Sequence, residues 1–139
     1  MRPSFRIIEH PSDLGIEARG NTLEEVFVVA ARGLMSVILD TSALGAGETR
    51  DVLLSASDRE QLLVRWLGEI LYLYDGQNFA ARDFSIQEMT DVSLRAVVRG
   101  ETVSPGRHRM ILDVKAVTYH QLAFREDEKG ISVRVFLDI

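Results

Sequence analysis

Two stretches at opposite ends of this sequence carry carboxylates in settings that suit a hard cation. The first is His10-Pro11-Ser12-Asp13, a short connection between two strand-like segments. So short a connection holds its carboxylate firmly, and proline at position 11 fixes one backbone torsion. Carboxylates already fixed in place suit Mg²⁺, Mn²⁺ or Ca²⁺, because the cost of crowding negative oxygens is met before the ion arrives. The other use of Asp13 is to cap its own turn through its side chain. The second stretch is 131–139, a strand pattern that stops on Asp138-Ile139. Most domains end in a few loose polar residues. Here the last residue is apolar and is expected to dock, which would hold the α-carboxylate of Ile139 beside the Asp138 side chain. Asp13, Asp138 and Ile139 together would make an oxygen-rich metal site, if folding joins the two ends. An ordinary last strand with a solvated end is the alternative.

A third stretch, Lys115-Ala116-Val117-Thr118-Tyr119-His120, places a cation where it could reach one face of a strand. Lys115 suits an anion or a carboxylate, or else simply faces solvent. His120 is either a ligand or a structural strand histidine.

Much other chemistry is excluded. The chain has no cysteine, which removes thiol catalysis, disulfides and sulfur-bound zinc together. It has no Gly-x-Ser-x-Gly elbow, no P-loop, no Gly-rich dinucleotide turn and no His-Glu-x-x-His. The formal net charge of −5 argues against the domain as a whole meeting a phosphate backbone. Direct nucleic-acid binding is therefore not indicated. The one dense basic cluster, Arg107-His108-Arg109, follows Pro105-Gly106 and reads as a solvated turn. No apolar run approaches the ~18 residues of a spanning helix. The first residues lack the apolar core of a secretory signal, so the expected location is cytoplasmic, with no membrane partner.

The elements that must position these residues follow from hydrophobic period. With 46% apolar and 27% charged residues over 139 positions, one core and one domain spanning 1–139 are expected. Segments 5–10 and 14–20 read as strands. Thr22-Leu23-Glu24-Glu25 has the form of a capping box, and apolar residues from 23 to 38 fall on one helical face. A short strand at 51–56 precedes a second box, Ser57-Asp58-Arg59-Glu60, whose helix is expected to stop at Asp75-Gly76. Trp66 on that helix reads as core packing. Period 2 then predicts strands over 84–90, 92–100, 110–118, 120–126 and 131–137. The order ββαβα followed by a run of strands predicts an α+β fold. Its sheet would be antiparallel or mixed, with both helices packed on one face.

These stretches resemble the archease family, small proteins that assist the tRNA-splicing RNA ligase. His10-Pro11-Ser12-Asp13-Leu14-Gly15 is similar to the family's His-Thr-Ala-Asp-hydrophobic-Gly, and Gly20-Asn21-Thr22-Leu23-Glu24-Glu25 to its Gly-x-Thr-Leu-Glu-Glu. The second helix from Leu62 to Tyr72 resembles its Leu-Leu-x-x-Trp-Leu-x-x-Leu-Leu-Tyr. Val114–His120 resembles its Lys-Ala-x-Thr-(Tyr/His)-His strand, and Asp138-Ile139 its ending. Five such pieces run in order over roughly residues 6–139. The resemblance implies an accessory protein with no turnover of its own. It would stimulate guanylylation of the ligase's histidine and repeated ligase cycles, in reactions that use GTP and divalent metal. RNA would be met only indirectly. The implied metal residues are Asp13, Asp138 and the terminal carboxylate of Ile139, with His10, Lys115 and His120 as supporting neighbours. Pro11-Ser12 departs from the family's Thr-Ala and alters the loop between the retained His and Asp. Two further readings use the same residues: a chaperone-like protein-binding module, and an independent metal-dependent phosphoester hydrolase.

Overall fold

The computed structural model describes residues 2–10 and 12–139. Seven strands and two helices follow in the order β1 (Ser4–Glu9), β2 (Asp13–Gly20), α1 (Leu23–Ile38), β3 (Glu48–Ser55), α2 (Arg59–Gln77), β4 (Phe79–Met89), β5 (Ser93–Thr102), β6 (Ala116–Asp127) and β7 (Gly130–Asp138). Every pairing between strands is antiparallel. The α+β class and the order ββαβα followed by strands are as the sequence predicts. The strands divide into two sheets rather than one, ordered β1-β2-β7-β6 and β3-β5-β4. The division arises because the N-terminal hairpin pairs with the C-terminal hairpin through β2 and β7, leaving the middle strands to pair among themselves. Helix α1 packs on β1, β2 and β7 of the first sheet and on β4 of the second; α2 packs on β3, β4 and β6. Each sheet thus gives one face to the helices.

Local chemistry sets the helix ends. The Thr22 hydroxyl accepts from the Glu25 amide at 3.2 Å, while the Glu25 carboxylate reaches back to the Asn21 amide at 3.3 Å. Both close free donors at the start of α1. The second box sits one residue later than expected. Asp58, not Ser57, caps α2 by accepting from the Gln61 amide at 2.8 Å, and the Gln61 side chain accepts from the Ser57 amide at 2.7 Å. Helix α2 also runs past Asp75-Gly76 and ends at Asn78, which adopts a left-handed conformation with φ of 56°. Asn tolerates that region, so the stop signal was there in another residue type. Trp66 is fully buried and donates its indole N–H to the Phe27 carbonyl at 2.9 Å, pinning the two helices together. No helix among the described residues is long and apolar enough to cross a membrane.

Several strand boundaries differ from expectation: β3 begins at Glu48 rather than 51, β5 runs on to Thr102, and three further differences are larger. Strand β4 begins at Phe79 because Phe79-Ala80-Ala81 are buried in succession, which masks the alternation. Of segment 110–118, only 116–118 joins a sheet ladder. Residues 110–112 instead cover the end of α1, with Met110 bridged to Leu39 and the Ile111 amide donating to the Ile38 carbonyl at 2.8 Å. The expected strand 120–126 is continuous with that short piece in β6, across an irregularity between Thr118 and Ala123 where Gln121 has φ of 53°. Such bulges re-aim side chains beside functional sites.

Candidate functional site: one sheet face with two ends

Alternation along β2 and β7 sends Leu14, Ile16, Ala18, Val133, Val135 and Leu137 into the core. Their alternates Asp13, Gly15, Glu17 and Arg19, with Ser132, Arg134, Phe136 and Asp138, stand on the opposite, outer face. The register sets Asp13 opposite Asp138, so the bend after β1 and the end of β7 meet. The expected juxtaposition of the two carboxylate-bearing stretches is present.

The bend is closed by the His10 amide donating to the Asp13 carbonyl at 3.2 Å. His10 Nδ1 lies 3.0 Å from Asp13 Oδ1, yet without the alignment of a hydrogen bond, so that oxygen is buried and makes none. A buried carboxylate oxygen that accepts no hydrogen bond is costly, and with only the His10 imidazole beside it, it is the feature here that best suits an incoming cation. Pro11, expected to stiffen this bend, lies outside the described residues. Ile139 follows Asp138 directly and packs its side chain against the core.

Phe136 organises the surroundings. Its ring lies 5.1 Å from that of His10 and 6.3 Å from that of His120, so both imidazoles flank it. Gly15 makes room for it, because a Cβ there would stand 2.9 Å from the Phe136 ring. The β6 irregularity presents His120, whose amide donates to the Thr118 hydroxyl at 3.2 Å. The Lys115 amide donates to the Asp138 carbonyl at 2.8 Å, so its main chain fixes the strand end while its side chain is exposed. Among the described residues, no three His, Cys, Asp or Glu side chains gather closely enough to hold a metal by themselves. Two carboxylates alone would leave most coordination positions of a hard cation to water or to other groups.

The other end of the same face has the opposite chemistry. Arg6 on β1 stands opposite Glu17, Glu17 opposite Arg134, and Arg19 follows on β2. Three guanidiniums converge on the Glu17 carboxylate, from Arg6 and Arg19 at 3.2 Å and from Arg134 at 3.1 Å. Burial pushes the Glu17 carboxyl up, but hydrogen bonds from Arg134, Arg6 and Arg19 and the charge of Arg6 outweigh it and hold it below its ordinary value. These arginines are scattered from position 6 to 134, so no run or motif marks them; only the period-2 reading of each strand, combined with the register, could have assembled them.

The Arg107-His108-Arg109 turn is not simply solvated. His108 is buried; its Nδ1 accepts from the Ser104 amide at 2.8 Å and its Nε2 lies 2.7 Å from Glu101. An acceptor role for Nδ1 places the ring proton on Nε2, which donates to the carboxylate. Glu101 also accepts from the Gly45 amide at 2.8 Å, so this histidine ties two loops together.

The fold and its outer face define a small α+β protein whose first bend and last strand set Asp13 and Asp138 opposite each other in register. The chain belongs to the Archease protein family (MTH1598/TM1083), whose profile matches residues 5–139. It is 37% identical over 139 residues to Protein archease of Methanosarcina acetivorans, covering 97% of this chain and 95% of that one. It is also 37% identical over 137 residues to Protein archease of Saccharolobus islandicus, covering 98% and 99%. Among solved structures, the solution structure of Methanobacterium thermoautotrophicum protein 1598 matches with a TM-score of 0.79 and 34% identity, covering 98% of this chain and 99% of that one. A crystal structure from Thermotoga maritima, described as an archease and possible chaperone, shares the fold with a TM-score of 0.67 at 22% identity, covering 100% of this chain and 98% of that one.

Proposed function

We propose that this protein is an accessory protein of the tRNA-splicing RNA ligase that promotes metal-dependent guanylylation of the ligase and its repeated turnover. The observation that carries this reading is the pairing of Asp13 with Asp138, with a buried Asp13 oxygen lacking a hydrogen-bond partner. Membership of the archease family supports it. Asp13, Asp138 and a main-chain oxygen of Ile139 would hold a divalent cation, Ca²⁺, Mg²⁺ or Mn²⁺, at the contact with the ligase. When bound, such an ion supplies positive charge that orients phosphates and offsets the negative charge of nucleotide transfer from GTP.

The chain's own residues do the positioning. The β2–β7 ladder sets the two carboxylate residues opposite each other, the Lys115 amide holds the Asp138 main chain, and the His10 and His120 rings lie against Phe136. The incomplete donor set leaves room for groups from a partner, which accords with an accessory role rather than independent turnover.

The test is ligase guanylylation from GTP with wild-type protein, Asp13→Ala and Asp138→Ala. Loss of stimulation in both variants is expected; full stimulation by both would remove this site from the mechanism. One observation favours a second reading, a chaperone-like protein-binding module: Met110, Ile111 and Tyr72 are large apolar side chains left exposed. That reading expects both carboxylate variants to stimulate fully and Ile111→Ser to fail.

A further inference from the structure

Although the chain as a whole is acidic, the outer face of the first sheet concentrates basic charge away from the carboxylates. Register places Ser4, Arg19, Ser132 and Arg125 across four strands, beside the row Arg6, Glu17, Arg134 and Ala123. Rows on one sheet face lie about 6.8 Å apart, so four arginines share a small area against one carboxylate. Asp127 and Lys129 border this area and offset one another. Small residues between the arginines leave open grooves. One of about 360 Å³ is lined by Ser4, Phe5, Arg6, Glu17 and Arg19, and another of about 150 Å³ runs past Arg19, Arg125 and Arg134.

Glu17 does not neutralise this face. Each of the three arginines on it spends part of its fork and retains further donors, so Glu17 acts as a post that holds the guanidiniums together. Arg125 makes no ion pair among the described residues.

We infer that this arginine end is a binding surface for the phosphodiester backbone of a nucleic-acid strand. Arginine forks match phosphate oxygens in pairs. Backbone binding needs only such a patch, with no apolar anchor. A protein partner, by contrast, draws most of its affinity from a few Trp, Tyr or Arg anchors seated in well-packed, desolvated pockets, whereas these grooves are open to solvent. Of the exposed large apolar side chains among the described residues, only Phe5 lines these grooves. The net charge of −5 does not cancel the patch, since charges more than about 8 Å away are largely screened at physiological salt. This surface is independent of the cation reading, because it uses none of the same residues.

The experiment is fluorescence anisotropy of a labelled single-stranded RNA of ~12 nucleotides with the full chain, in EDTA and without ligase. Three or four phosphate contacts predict that affinity falls roughly 20- to 50-fold between about 50 and 200 mM salt. Arg125→Glu, at an exposed and unpaired position, is expected to lower affinity roughly tenfold and flatten the salt slope by about 1. A DNA strand of equal length separates two sources of the contact. Equal affinity assigns it to the phosphodiester alone, and preference for RNA assigns a share to the 2′-hydroxyl. Absence of binding at low salt, wild-type affinity in folded Arg125→Glu, or equal binding of a polyglutamate of the same length would each overturn the assignment. The polyglutamate result would transfer the surface to an acidic protein.

Discussion

At one end of the outer sheet face, Asp13 stands opposite Asp138 with an unpartnered oxygen; at the other, Arg6, Arg19 and Arg134 converge on Glu17. Both ends are built on the same strands by the same alternation. Between them runs the row of Ile8, Gly15, Phe136 and Thr118, the apolar divide of this face. Among the described residues the carboxylate end makes no ion pair beyond that of His10 with Asp13, whereas the arginine end carries its acid inside. The first end is the one proposed to take a cation, and the other is organised yet still in excess of positive charge. Two partners of opposite sign can be served by one sheet without either site neutralising the other.

The divide itself is where the largest effect is expected. Phe136→Ala should cost about 3–5 kcal/mol in denaturant unfolding, because the ring is buried and its loss leaves a cavity under His10 and His120. A cost below about 1 kcal/mol would mean that the ring does not order the carboxylate end. Next is the cation. Mn²⁺ at about one hundred times its dissociation constant should stabilise the wild type by about 2.7 kcal/mol, while Asp138→Asn should show no metal-dependent rise in melting temperature.

A smaller effect at the arginine end depends on pH. The folded-state carboxyl of Glu17 titrates below its ordinary value of 4.5, so its stabilisation is present above that pH and is lost as pH falls through the lower folded value. Glu17→Gln should therefore cost about 1–2 kcal/mol at neutral pH, and its deficit against wild type should shrink steadily below pH 4.5. A deficit that stays constant down to acid unfolding would show that shape rather than charge holds the arginines. The smallest effect is at Arg125, where Arg125→Glu should stay within about 0.5 kcal/mol of wild type in stability.

The two ends also differ in how far they could be read from residues alone. Asp13 sits in a short bend and Asp138 at the end of a patterned strand, so each announces itself locally, and only their meeting needed the fold. The arginines have no local mark; Arg6, Arg19, Arg125 and Arg134 are ordinary outward residues of four strands until β1-β2-β7-β6 order makes them neighbours. The same limit explains the second sheet. Alternation shows that 51–56 and 92–100 are strands, but not that they pair with each other. Capping chemistry located the start of α1, while the end of α2 was missed because Asn78, rather than glycine, takes the left-handed position. His108 read as part of a charged turn because its burial depends on Glu101 and Gly45, which reach it through tertiary contacts.

The most direct test of the carboxylate end is calorimetric titration of Mn²⁺ into the wild type, Asp13→Asn and Asp138→Asn, with folding of each checked by circular dichroism. Saturable binding by the wild type and none by either folded variant is the expected result. Wild-type binding retained by both variants would contradict a cation held where the first bend meets the last strand.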